Sequence, residues 1–148
     1  MIAKTEEQIK HLRAAGKILA GVLRDVALLC KEGATTAELD LAAEHATRAR
    51  GAVPSFLNYE PDGASYPYPA SLCVSINDEV VHGIPNEKRI LRNGDIVSID
   101  AGLSYQGYFV DAARRWDPRV EPVHVGHARA AVAAGKLVNG SGQRGSVV

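Results

Sequence analysis

This sequence has little of several things that would mark a specialised chain, and each shortage narrows what it can be. Only two cysteines, Cys30 and Cys73, occur in 148 residues. That is too few for a disulfide framework, so a reducing compartment is the simpler setting. Charge of one sign is not in excess, since Lys+Arg and Asp+Glu both number 17. A neutral balance gives no electrostatic reason to expect nucleic acid or an anionic membrane as a direct partner. The first residues, Met1 to Glu7, contain no apolar signal core, and no apolar run approaches the ~18 residues of a membrane span. The expected location is the cytoplasm. What is present is an apolar fraction of 46 %, ordinary for a folded soluble protein, in a chain sized for one domain.

Two helices open the chain. Thr5 and Gln8 have the spacing of a capping box, and apolar residues then recur at Ile9, Leu12, Ile18, Leu19, Val22, Leu23, Val26 and Leu29. That stripe predicts a helix, with Gly33 as its stop. Thr35 and Glu38 repeat the capping pattern and lead a second helix to Gly51. Pro54 to Pro69 is rich in Pro, Tyr, Gly and Asn and reads as a loop. Residues 71–76 alternate as a strand does. Asn93-Gly94-Asp95 turns the chain into Ile96–Asp100, and Gln106-Gly107 turns it back into Tyr108–Asp111. Helices followed by strands predict an α+β fold with an antiparallel sheet. The tail after Trp116 has Val and a single Leu but no Ile, Phe, Tyr or Met. A weak Ala-rich helix is predicted over residues 127–138, and disorder after it.

Asp100 and Asp111 carry the chemistry. If residues 96–114 form a hairpin turning between Tyr105 and Gln106, the two aspartates oppose each other directly. If the turn is Gln106-Gly107, they are diagonal neighbours on the same face. Both arrangements allow contact with a shared ion, at Cβ separations of ~5 or ~7 Å; only a one-residue slip would split them between faces. Two ionised carboxylates ~5 Å apart repel by roughly 3 kcal/mol at an effective dielectric of ~20. A shared proton, an Arg partner such as Arg114 or Arg115, or a metal would each relieve that repulsion. Hard divalent cations take such oxygen ligands, and a two-metal site needs carboxylates that bridge.

His82, between Val81 and Gly83 in a turn-like context, is the other candidate. His11 and His45 fall on the predicted helices, where solvation is the plainer expectation. His124 and His127 form an H-x-x-H with Gly126 between them and no Glu alongside, which is not the metalloprotease motif.

Three ordered segments carry a family resemblance. Val74-Ser75-Ile76-Asn77-Asp78-Glu79-Val80-Val81-His82-Gly83-Ile84-Pro85 resembles the defining segment of type I methionine aminopeptidases. Asn93-Gly94-Asp95-Ile96-Val97-Ser98-Ile99-Asp100 and Gly107-Tyr108-Phe109-Val110-Asp111 are similar to the strands carrying that family's two metal-binding aspartates. The opening helix and Gly33 to Asp40 also fit, so the likeness runs from residue 4 to about 116.

The resemblance implies the N-terminal half of a pita-bread fold, two helices followed by an antiparallel sheet. It implies residues 1–116 as a partial aminopeptidase catalytic domain and 117–148 as a divergent tail, disordered or out of frame. The implied activity is removal of the initiator methionine from nascent polypeptides, at the ribosome, with two divalent metals (cobalt, manganese, iron or zinc). Asp100 and Asp111 would be metal ligands and His82 a catalytic, substrate-binding group; Tyr59, Tyr68 and Cys73 would line the methionine pocket. The segment Asn58 to Pro69 is longer than the family's usual loop. The family takes one His and two Glu ligands from its second half, and no segment here matches those. A truncated, inactive and self-associating form is therefore expected; the alternative is a non-catalytic binding module of the same fold.

Overall fold

The computed structural model describes residues 5–117 and, for its backbone, 127–132. Two helices, α1 (Glu6–Ala27) and α2 (Thr36–Ala49), precede five strands: β1 (Val53–Pro54), β2 (Leu72–Ile76), β3 (Val97–Tyr105), β4 (Tyr108–Trp116) and β5 (His127–Val132). Both helices start as their sequences direct. The Thr5 and Thr35 hydroxyls accept from the backbone N–H of Gln8 and Glu38, whose side chains accept in return from the backbone N–H of the capping threonines. These reciprocal bonds satisfy donors that a helix start otherwise leaves orphaned.

The first helix ends six residues before Gly33. Past Ala27 local turns carry the backbone to Lys31, and a distant segment then takes it up: Gly33 N–H donates to Leu91 O at 2.9 Å, and Leu91 N–H donates to Ala34 O at 2.8 Å. Gly33 instead supplies a left-handed residue, φ 87°, in the connection to α2.

The sheet is antiparallel throughout. β3 is its centre, paired with β4 along one edge and with β1 and β2 in succession along the other. Val97, Ile99, Ala101 and Leu103 of β3 turn one face to the helices and are buried with Leu19, Val22, Val26 and Leu39. Burying each of the larger of these side chains contributes roughly 1.5–3 kcal/mol. The intervening residues Ser98, Asp100, Gly102 and Ser104 therefore lie on the opposite face, by the two-residue period of a strand.

Residues 127–132 are a strand, where local composition predicted a helix. Alanine's helix preference is a weak local term. Against it, the edge of β4 offers a row of backbone partners, and β5 takes them in register from Tyr108↔Val132 to Ala113↔His127. Most of the tail, including His124 and residues 133–148, lies outside the described residues, as do the side chains of β5. Among the described residues no helix is long and apolar enough to cross a membrane.

Candidate functional site

The β3–β4 hairpin turns at Gln106 and Gly107, with φ of 52° and 80°. Two consecutive left-handed residues match the right-handed twist of the flanking strands. This turn sets the register Asp100↔Ala113 and Gly102↔Asp111, so the aspartates are diagonal neighbours on the face away from the helices. The same alternation places Arg114, opposite Ile99, on the helix side with Val110.

The Asp100 and Asp111 carboxyl groups are in hydrogen-bonding contact. Burial, then the charge of Asp111, then that hydrogen bond hold the Asp100 carboxyl up at about 7. Below about pH 7 the pair therefore holds a proton, and above it a cation would relieve the repulsion of two charges. Their chemistry fits a hard divalent ion: two oxygen donors, partly shielded, with a repulsion that a cation would reverse in sign. Among the described residues no group of three or more His, Cys, Asp or Glu side chains is arranged to hold a metal. The pair thus offers part of the four or more donors that such an ion takes.

Cys73 of β2 pairs with Asp100 and so shares this face. The Tyr68 hydroxyl lies 3.1 Å from the Cys73 sulfur and 3.1 Å from Leu72 O. Burial pushes the Cys73 thiol up to about 11, with Asp100 adding to the rise. Burial likewise raises Tyr68, reinforced by Cys73 and by the acids Asp40 and Asp100. Both groups are therefore neutral at physiological pH, and the wall beside the carboxylates presents an uncharged hydroxyl and thiol. Tyr59 is held next to Tyr68 through the backbone, since Tyr68 N–H donates to Tyr59 O and Asn58 N–H donates to Tyr68 O, both at 2.8 Å. That pair closes the base of the long loop.

Three residues of the site were not singled out from sequence. Phe56 lies over the sheet at Gly102, where an added Cβ would come within 2.7 Å of its ring. Its ring meets Tyr68 edge-on, centroids 6.5 Å apart. A glycine in the middle of a strand signals such a close approach, and Gly102 was that signal. Asp40 of α2 accepts from the backbone N–H of Ser71 at 2.7 Å and Leu72 at 3.1 Å, which fixes the start of β2 and hence Cys73. Arg89, on the segment that follows His82, donates to Val74 O at 3.1 Å and Ile84 O at 2.8 Å. His82 itself is exposed, in a left-handed conformation with φ 61°. The next residue, Gly83, accepts from Val74 N–H at 2.8 Å, along the edge of β2 away from β3. His11 is not merely solvated: it stacks on Tyr108, 5.0 Å between ring centroids.

The sequence and the fold both match known proteins. The profile of metallopeptidase family M24 matches residues 10–135. A methionine aminopeptidase from Aquifex aeolicus is 46 % identical over 109 residues, covering 74 % of this chain and 42 % of that protein. Methionine aminopeptidase 1 from Bacillus subtilis is 41 % identical over 113 residues, covering 76 % of this chain and 43 % of its own length. The chain thus spans less than half the length of the curated relatives it matches. Among solved structures, methionine aminopeptidase from Thermotoga maritima superimposes with a TM-score of 0.72 at 35 % identity, covering 79 % of this chain and 45 % of that one. An Escherichia coli aminopeptidase P reaches 0.61 at 27 % identity over 77 % of this chain and 23 % of its own. The fold is that of one half of the pita-bread architecture. By the extent of the profile match and by these similarities, the chain belongs to metallopeptidase family M24.

Proposed function

We propose that this chain carries the aspartate half of a two-metal aminopeptidase site that removes methionine from the N-termini of nascent polypeptides in the cytoplasm. The observation that carries the reading is the Asp100–Asp111 pair: two contacting carboxyl groups on one sheet face, with Asp100 raised by burial and by its neighbour. Such a pair is costly for a structural role and suited to bridging cations.

In this reading Asp100 and Asp111 would supply part of the ligand set for two divalent ions of the cobalt, manganese, iron or zinc kind. The ions, when bound, polarise the scissile carbonyl and make water a competent nucleophile near neutral pH. The remaining steps belong to the chain's own side chains. Tyr59, Tyr68, Cys73 and Phe56 receive the methionine side chain. The neutrality of Tyr68 and Cys73 suits an unbranched thioether, and the edge-on aromatic pair adds polarisable surface for sulfur. His82 hydrogen-bonds the substrate near the scissile bond, where an imidazole can orient it or pass a proton.

Two aspartates cannot fix two metals. The 148-residue chain by itself is therefore expected to bind metal weakly and to release no methionine at a useful rate. The test is a chimera in which residues 5–116 replace the matching part of the Aquifex aeolicus relative. It should release methionine from a Met-Ala peptide with cobalt or manganese, and Asp100→Ala should reduce release to background. A folded, metal-loaded chimera that hydrolyses nothing would overturn the reading. Robust turnover by the 148-residue chain alone, abolished by Asp100→Ala, would overturn the expectation that it is inactive.

A further inference from the structure

We propose that Arg89 is a positioning residue for His82: its guanidinium, paired with Glu79, clamps the segment on both sides of the histidine to the edge of β2. The inference deepens the aminopeptidase reading and rests on it for the role of His82. The clamp itself is argued from geometry.

Residues 77–82 are exposed, and two of them, Asn77 and His82, are left-handed at φ 58° and 61°. Such non-glycine conformations persist where surroundings over-determine them. One end of the segment is fixed at Asn77. Its Nδ2 donates to Asp95 Oδ1 at 2.8 Å, its Oδ1 accepts from Ile96 N–H at 3.0 Å, and its backbone N–H donates to Ile96 O at 2.9 Å. The other end is fixed at Gly83 and Ile84, and there Arg89 enters. Its Nη1 donates to Val74 O at 3.1 Å and to Ile84 O at 2.8 Å. Its Nη2 donates to Glu79 Oε2, an oxygen that also accepts from Ile76 N–H at 3.0 Å. One planar side chain therefore joins the residue three before His82, the residue two after it, and the strand beneath. Lysine, with a single ammonium, cannot hold these directions together as a guanidinium fork does.

Two further features favour a clamp over a solvated surface arginine. The Arg89 side chain is 20 % exposed, and its backbone is anchored, with Arg89 O accepting from Thr36 N–H at the start of α2 at 2.9 Å. Gly83 also leaves no room for displacement, since a Cβ there would fall 2.1 Å from Val74 O. The loop is pressed against β2 at backbone distance, and Arg89 together with Glu79 closes it there.

Amide hydrogen exchange and the His82 ring resonances of the full 148-residue chain test this without metal or substrate. Failure here leaves the peptidase reading standing, and failure of the chimera leaves the clamp standing. Arg89→Met should speed exchange at the Val74 and Gly83 amides by tenfold or more and shift or broaden the His82 Hε1 signal. The amides of Leu19 and Val22 in α1 should keep their protection. Glu79→Gln should give the same local signature, the double variant no more than either single one, and Arg89→Lys only partial recovery. Unchanged Val74, Gly83 and His82 signals in Glu79→Gln and Arg89→Met would overturn the proposal. So would additive effects of the two substitutions. If Arg89→Met loses protection in α1 as well, Glu79→Gln, which leaves the bond to Val74 O in place, decides the matter alone.

Discussion

Cys73 stands directly across from Asp100, paired through β2 and β3, so a neutral thiol and a carboxylate share one face of the sheet. The Tyr68 hydroxyl contacts that thiol, and Asp111 contacts that carboxylate. The proposed pocket wall and the candidate metal centre thus share one face of the sheet, and changes to either should be measurable in the other.

The carboxylate pair should destabilise the metal-free chain at neutral pH. Asp100 sits at about 7 in the fold against about 4 in an unfolded chain. Between those values the folded state binds more protons, so stability falls as pH rises from about 4 to about 7. Asp111→Asn removes the opposing charge and keeps a hydrogen-bonding group. It should stabilise the metal-free chain at pH 8 by roughly 1–3 kcal/mol, and by little at pH 4, where the pair already holds its proton. Urea titrations at the two pH values check this; equal effects at both would sink the electrostatic account.

Gly102 should not tolerate a side chain. A Cβ there would lie 2.5 Å from Ser55 Oγ and 2.7 Å from the Phe56 ring. Gly102→Ala should therefore push Phe56 from its edge-on contact with Tyr68 and cost about 1–3 kcal/mol. Urea denaturation gives the stability, and aromatic NMR shifts of Tyr68 report the lost contact. An alanine accepted with neither effect would show that Phe56 does not rest on this strand.

Asp40 should matter through the two amides it satisfies. Asp40→Ala leaves the Ser71 and Leu72 N–H groups, both on buried residues, without their acceptor, at about 1–3 kcal/mol. Asp40→Asn keeps an acceptor oxygen and should cost less. Alkylation of Cys73 at pH 8 should quicken in the alanine variant as the start of β2 loosens. Equal losses for alanine and asparagine would point to the charge rather than to the amides.

How much of this was readable in the sequence follows from the range of each interaction. The two capping boxes close within four residues, so Thr5, Gln8, Thr35 and Glu38 announced both helices. The aspartates were bound to share a face in either even register, because the strand period is two and the turn residues Gln106 and Gly107 lie between them. The choice between opposed and diagonal pairing belonged to the turn geometry, with both residues at positive φ. The family motifs singled out His82, Asp100 and Asp111 as candidates, but no motif spacing shows what encloses them.

Long-range contact decided the rest. The connection after α1 is tied to Leu91, about sixty residues on, and residues 127–132 became strand because the edge of β4 outbid a local preference for helix. Phe56 reaches Gly102, Asp40 reaches Ser71, and Arg89 reaches Val74 only once helices and strands have packed. Local periodicity and capping are written in neighbouring residues, so both helix starts, the β3–β4 hairpin and the shared face of the two aspartates were legible in the sequence. Which distant groups meet depends on the packing of the whole chain, so the contacts among Phe56, Tyr68 and Cys73 and the seating of the His82 loop on β2 were not legible before the fold was known.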